Sequence, residues 1–157
     1  MTRKDILTPI EVLHRDELTS AQSALVDKAI DATRRSYAPY SRFHVGAAIM
    51  LDNGVTVTGS NQENAAFPSG TCAERSACFY AGAQYPEARF QSIAVAARDA
   101  SGELVTQPIP PCGACRQSLL EYEKLAGHDV DLLLVGRNEI YHLPSVHSLL
   151  PLAFTSF

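Results

Sequence analysis

Phe43-His44-Val45-Gly46-Ala47-Ala48-Ile49-Met50-Leu51 is followed by Asp52-Asn53-Gly54 and then by Val55-Thr56-Val57-Thr58-Gly59-Ser60. The first run is apolar and β-branched, the second alternates, and the Asp-Asn-Gly between them is a hairpin signal in which glycine supplies positive φ. Upstream, Thr19-Ser20-Ala21-Gln22 has the form of a capping box. Leu18, Ala21, Leu25, Ala29, Ile30 and Ala32 follow at helical spacing. That helix should end near Ser36, because Pro39 disfavours helical geometry at Ala38. Downstream, Cys72–Tyr85 reads as an alanine-rich helix, Gln91–Arg98 as a strand and Gly113–Ala126 as a helix opening just after a Pro-Pro pair. Asp129–Val135 and Glu139–Leu143 read as strands, and Val146–Leu150 as a helical turn. The expected order is α-β-β-α-β-α-β-β. Such alternation indicates an α/β fold in three layers, helices covering a sheet with an antiparallel hairpin near its start.

The whole chain, 157 residues, fits one domain spanning 1–157. A hydrophobic fraction of 46% against 19% charged residues excludes disorder and rod-like repeats. No apolar run reaches the roughly 18 residues of a membrane span, and the basic N-terminus is followed by no apolar signal core. With a net charge of −4, neither nucleic acid nor an anionic membrane is an expected partner. Arg34, Arg35 and Arg42 read as a solvated face.

Four cysteines remain to be explained: Cys72, Cys78, Cys112 and Cys115. In a reducing cytoplasm, the expected compartment, thiols persist as buried apolar groups, metal ligands or catalytic groups. Cys112-Gly113-Ala114-Cys115 opens a helix, where both sulfurs can reach one ion. Cys72 opens another helix and can supply a third. Helix N-termini favour the thiolate that zinc requires. Cys78 lies about 240° around the helix and roughly 9 Å along it from Cys72, so it should face the core. Three protein ligands with one open position is the pattern of a catalytic zinc.

Glu74 admits two readings. Thr71-Cys72-Ala73-Glu74 has the spacing of a capping box. A zinc site also needs a carboxylate nearby to move protons, and the place of Glu74 two residues from Cys72 favours that role. A three-thiolate cluster is a poor Lewis acid unless cations drain its charge, and Arg75 and Arg116, each adjacent to one of these residues, are the candidates.

Thr71-Cys72-Ala73-Glu74-Arg75 and Pro111-Cys112-Gly113-Ala114-Cys115-Arg116-Gln117 closely resemble the two zinc motifs of the homotetrameric, three-cysteine cytidine deaminases of pyrimidine salvage. Tyr40–Ala48 looks like the first strand of that family, Gly59–Ala65 like its nucleoside-binding segment, and Leu149–Phe154 like its tail. The resemblance implies an α/β/α fold with a mixed sheet of about five strands. It implies one Zn2+ per subunit and hydrolysis of cytidine or deoxycytidine to the uridine product and ammonia. Glu74 would carry one proton to ring N3 and a second to the leaving amino group. It also implies that Asn61 and Glu63 hold the ribose hydroxyls, that Phe43 packs on the pyrimidine and that the Ala73 N–H meets its carbonyl. Phe154 would enter the pocket of a neighbouring subunit, so that tetramer assembly completes each site. Asn-x-Glu at a strand end independently places an amide and a carboxylate on one side. Two positions depart from the family: Phe67, where relatives often carry tyrosine, and Pro110, where a small hydroxyl residue is usual. Rival readings are a deaminase of another aminopyrimidine nucleoside, of the blasticidin S type, and a non-catalytic zinc module that binds nucleosides. A nucleic-acid deaminase fits poorly with an acidic chain lacking a basic, aromatic groove.

Overall fold

A computed structural model describes residues 1–156. The elements follow the expected order with one addition at the start: β1 Glu11–Leu13, α1 Ser20–Ala32, β2 His44–Leu51, β3 Thr56–Ser60, α2 Ala73–Gln84, β4 Phe90–Arg98, α3 Gly113–Ala126, β5 Asp131–Val135 and β6 Ile140–Leu143. Short 3-10 turns cover Thr33–Arg35 and Val146–Leu149. The capping box at Thr19 is formed, with the Gln22 N–H donating to the Thr19 hydroxyl. Gly54 takes φ 82° in the β2–β3 turn.

The described strands form one six-stranded sheet in the order β1-β6-β5-β4-β2-β3. The β4–β5 pair is parallel and the others are antiparallel. The sheet is therefore mixed, with one strand more than expected. β1 has only three residues, too few to show a period, and it holds to the edge by pairing Val12 with Tyr141.

Alternation along the central strands divides the core in two. Ala48, Ala94, Ala96, Leu133 and Val135 face α1 through Leu25, Val26 and Ala29. Ala47, Ile49, Ile93, Val95, Leu132 and Leu134 face α2 and α3 through Ala77, Cys78, Ala81 and Leu119. The result is the three-layer arrangement, helix, sheet, helix. Cys78 is wholly buried in the second core, and burial pushes its thiol up to about 12. Among the described residues it joins no cluster that could hold a metal.

Gly59 sets how closely α2 approaches the sheet. A Cβ there would lie 2.5 Å from the Ala77 nitrogen and 2.6 Å from the Ala73 oxygen. Close approach of the first turn of α2 to β3 fixes the start of that helix, where Cys72 lies.

Candidate active site

Cys72 and Cys112 are the N-cap residues of α2 and α3, both with extended backbone and neither using its side chain to cap its helix. Their sulfurs are thereby left free. Cys115 stands in the first turn of α3, so two helix N-termini converge on one point and favour negative charge there. The Cys72 and Cys112 sulfurs are 3.8 Å apart, those of Cys112 and Cys115 are 3.5 Å apart, and all three lie within 4.8 Å of one another. Zinc–sulfur bonds of about 2.3 Å in a tetrahedron require sulfur separations of about 3.8 Å. The donor set fits zinc, and no histidine joins it among the described residues.

The electrostatics agree. Hydrogen bonding from Cys115 first, then from Arg75 and Cys112, overcomes burial and brings the Cys72 thiol down to about 5. Cys115 is pushed strongly upward, first by its hydrogen bond to Cys72 and then by burial. The two shifts are opposite halves of one interaction between the thiols. Arg75 supplies the cation, its Nη2 donating to the Cys72 sulfur at 3.8 Å. Its Nε is buried with no hydrogen-bond partner. Arg116 turns away from the sulfurs: Nε donates to the Pro111 carbonyl at 2.8 Å and Nη1 to the Leu149 carbonyl at 3.0 Å. It braces the peptide before Cys112 against the chain's tail.

Glu74 is 4% exposed. It is the second residue of α2, one short of the capping-box position, and the Thr71 hydroxyl donates to the Cys72 carbonyl. The T-x-x-E spacing therefore forms no capping box here. Burial raises the Glu74 pKa, with the Cys72 charge adding to it, against weaker opposition from its own N–H, Cys115 and Arg75. A carboxyl group that holds a proton readily thus sits beside the sulfurs.

These groups end a cavity of about 640 Å³. Cys72, Glu74, Arg75 and Cys112 close one side, Asn61, Gln62, Glu63 and Asn64 line another, and Tyr40, Phe67, Ile109 and Pro110 complete the walls. Phe67 is 76% exposed and meets Tyr40 edge to face, ring centroids 6.1 Å apart. Asn61 Oδ1 accepts the Val45 N–H at 2.8 Å, and its Nδ2 donates to the Phe43 carbonyl at 2.9 Å. Glu63 Oε2 accepts the Tyr40 N–H at 2.9 Å and the Ser41 N–H at 3.2 Å, while Oε1 accepts the Ser41 hydroxyl. The Ser41 hydroxyl, with the Tyr40 and Ser41 amides and His44, holds the Glu63 carboxyl below its usual range against the effect of burial.

Three expected substrate contacts lie off this wall. Phe43 is half-buried and meets Asn61 through its carbonyl, and Ala73 is fully buried at the start of α2. Phe154 is 66% exposed, its carbonyl accepting from Gln117. Conversely, Ile109 lines the cavity without any motif that marks it in the sequence, and Tyr40 and Ser41 line it although the Tyr40–Ala48 resemblance assigns them no role.

Paired helix N-termini bearing three zinc-spaced sulfurs at the end of a cavity, with a buried carboxylate beside them, define a zinc-binding α/β protein. A family model of the cytidine and deoxycytidylate deaminase zinc-binding region matches residues 19–126. The cytidine deaminase of Halalkalibacterium halodurans is 39% identical over 132 residues, 84% of this chain and 92% of that protein. The cytidine deaminase of Mycobacterium tuberculosis is 40% identical over 105 residues, 65% of this chain and 74% of that one. The crystal structure of cytidine deaminase from Burkholderia pseudomallei superposes with a TM-score of 0.71 at 37% identity, covering 87% of this chain and all of that one. The chain belongs to the zinc-binding cytidine deaminase family.

Proposed function

We propose that this chain hydrolyses the exocyclic amine of cytidine and deoxycytidine, releasing ammonia and the corresponding uridine nucleoside. The observation that carries the reading is the buried Glu74 carboxyl beside three zinc-spaced sulfurs at the end of the cavity. Cys72, Cys112 and Cys115 would hold the metal. Zinc there supplies Lewis acidity, which makes hydroxide available from water at neutral pH.

The chain's own residues do the rest. Glu74 Oε takes a proton from water and gives it to ring N3, so that C4 becomes electrophilic and the hydroxide left by that water adds there. Glu74 then carries the proton of the new C4 hydroxyl to the amino nitrogen, and the C4–N bond breaks to release ammonia as the C4 carbonyl forms. Its raised pKa suits a group that must both accept and donate near neutrality. Arg75 offsets the thiolate charge through Cys72. Ile109 and Pro110 contribute an apolar wall for a flat base.

Asn61 and Glu63 would hold the sugar. A carboxylate has about four lone-pair positions and an amide nitrogen two hydrogens. Three protein donors already occupy Glu63, and one Asn61 hydrogen is committed to Phe43. One acceptor position and one donor remain, enough to hold a single hydroxyl from both sides. Cytidine and deoxycytidine share such a hydroxyl, so both are substrates on this reading. Leu152 and Phe154 stand 88% and 66% exposed on the tail. That exposure supports the homotetramer, with Phe154 entering a neighbour's site.

The test is ammonia release from cytidine, deoxycytidine, cytosine, blasticidin S and a cytosine-containing oligonucleotide, with zinc measured on the same sample. Glu74→Gln should keep near-normal zinc and lose at least about 10²-fold in kcat. Near-normal turnover in that variant refutes the assignment. Zinc binding without ammonia from any nucleoside would identify a binding module instead.

A further inference from the structure

Ser36 and Ser41 lie on the segment that leaves α1, and none of the roles above uses their side chains. Each hydroxyl is committed to one side chain of the sugar wall. The Ser36 hydroxyl donates to Asn61 Oδ1 at 2.5 Å, and the Ser41 hydroxyl donates to Glu63 Oε1. The polarity of each bond is fixed by its surroundings. Ser41 Oγ accepts the Phe43 N–H at 3.0 Å, so its single hydrogen is left for a carboxylate that can only accept. For Asn61, the Val45 N–H requires oxygen at Oδ1 and the Phe43 carbonyl requires nitrogen at Nδ2. The amide therefore has one orientation, and Ser36 must donate to it.

The backbone reinforces the arrangement. Arg42 is the one non-glycine residue with positive φ, 55°, among the described residues, and its N–H closes a turn on the Ala38 carbonyl at 3.0 Å. That reversal aims the Tyr40 and Ser41 N–H groups at the same carboxylate. A non-glycine residue in this region marks a place where local strain is held by surrounding contacts. The segment is also laced to the strand end by the Tyr37 N–H on the Asn61 carbonyl and the Glu63 N–H on the Tyr37 carbonyl.

We propose that Ser36 and Ser41 are positioning residues that pre-orient Asn61 and Glu63 for one sugar hydroxyl, with Ser41 the more important. Glu63 is half-buried, and without the Ser41 hydroxyl its carboxylate is held at Oε2 alone, so the freedom left to it must be frozen when the nucleoside binds. Ser36 has less to do, because backbone groups already hold both ends of the Asn61 amide, whereas both backbone donors to Glu63 meet Oε2 and leave Oε1 to Ser41. The proposal rests on the reading of Asn61 and Glu63 as the sugar wall.

The experiment compares steady-state kinetics on cytidine and on 2′,3′-dideoxycytidine, which lacks the hydroxyl. Ser41→Ala should raise KM for cytidine roughly three- to tenfold with kcat within about twofold, and leave KM for the dideoxy nucleoside unchanged. Ser41→Thr should restore the cytidine KM. An equal rise on both nucleosides, or no rise on cytidine, overturns the proposal. Glu63→Gln separates the two failures. If it abolishes the preference for cytidine while Ser41→Ala preserves it, the serine proposal alone falls. If the unaltered enzyme shows no preference and Glu63→Gln changes nothing, the sugar-wall reading falls and takes the serines with it. Should Ser41→Ala not fold, Ser36→Ala carries the same comparison through Asn61, with a smaller rise restricted to cytidine.

Discussion

Glu123 offers a test of how the chain holds the tail beside the site. It is 7% exposed on the last turns of α3, and its carboxylate accepts from four donors. Oε1 takes the Ser145 hydroxyl at 2.8 Å and the His147 N–H at 3.0 Å; Oε2 takes the Val130 N–H at 2.9 Å and the Val146 N–H at 2.7 Å. Glutamine has nearly the same shape but only one acceptor atom. Its better orientation keeps oxygen on the fully buried Val130 and Val146 amides and sets NH2 against Ser145 and His147. Ser145 can rotate to accept, and the His147 N–H already has Ser145 Oγ at 3.2 Å, so the damage is limited. Losing charge assistance on two bonds and one donor contact should cost about 2 kcal/mol. Alanine strands both buried amides and leaves a void, and should cost about 4 kcal/mol. The measurement is the urea midpoint at one protein concentration and one metal loading, since assembly and zinc both shift apparent stability. Glu123→Ala within about 1 kcal/mol of wild type would refute the view that this carboxylate ties α3 to the Val146–Leu149 turn.

Gly59→Ala should displace the first turn of α2, because the added Cβ meets Ala73 and Ala77 backbone at 2.6 and 2.5 Å. We expect a loss of about 1–3 kcal/mol in stability and weaker zinc retention against a chelator, since Cys72 begins that helix. His142 bonds Glu11 at 2.7 Å and Asp131 at 3.1 Å, joining β6 to both neighbours. Burial opposes its charged form, but the bonds from Glu11 and Asp131 prevail and its pKa is raised. The folded state therefore holds this proton more tightly than the unfolded chain. The contribution is complete below the ordinary histidine value of about 6.5 and fades as pH rises through the raised one. The stability gap between wild type and His142→Gln should thus shrink from pH 6 to pH 8, staying below about 1 kcal/mol with partners this exposed.

What was legible in the sequence is what depends on local pattern. The spacing predicts α3 at Gly113–Ala126, where it lies, and the zinc sulfurs follow from helix starts that Pro-Pro and Thr-Cys announce. β1 was not legible, because an edge strand of three residues is specified by its partner and by the Glu11–His142 bond, not by a period. Arg116 could be placed beside Cys115 but not aimed: neighbours in a helix differ by about 100°, and its direction is set by a tail carbonyl 33 residues away. Ser36 belongs to no motif, and Ser41 falls within the Tyr40–Ala48 resemblance without a role assigned to it there. Their partners lie 25 and 22 residues downstream, so only the fold reveals them.

The two buried glutamates, read against each other, bear on what Glu74 is for. Glu123 meets four donors, so its burial is compensated and it serves the fold. Glu74 is buried as deeply, yet the groups that favour its charge are only its own N–H, Cys115 and Arg75, and burial outweighs them. A carboxylate in such a place costs stability, and nothing in the helix cap recovers that cost, since the capping-box register is missed by one residue. Sites of this kind are expected where function, not folding, selects the side chain. It follows that Glu74→Gln, which is of equal size and cannot ionise, should leave metal-free protein as stable as wild type or more so by up to about 1 kcal/mol. Thermal unfolding of the two metal-free proteins at neutral pH decides this. A variant destabilised by 2 kcal/mol or more, on the order of a lost buried hydrogen bond, would mean that Glu74 holds the helix start together after all, and that its loss of turnover would say nothing about proton transfer.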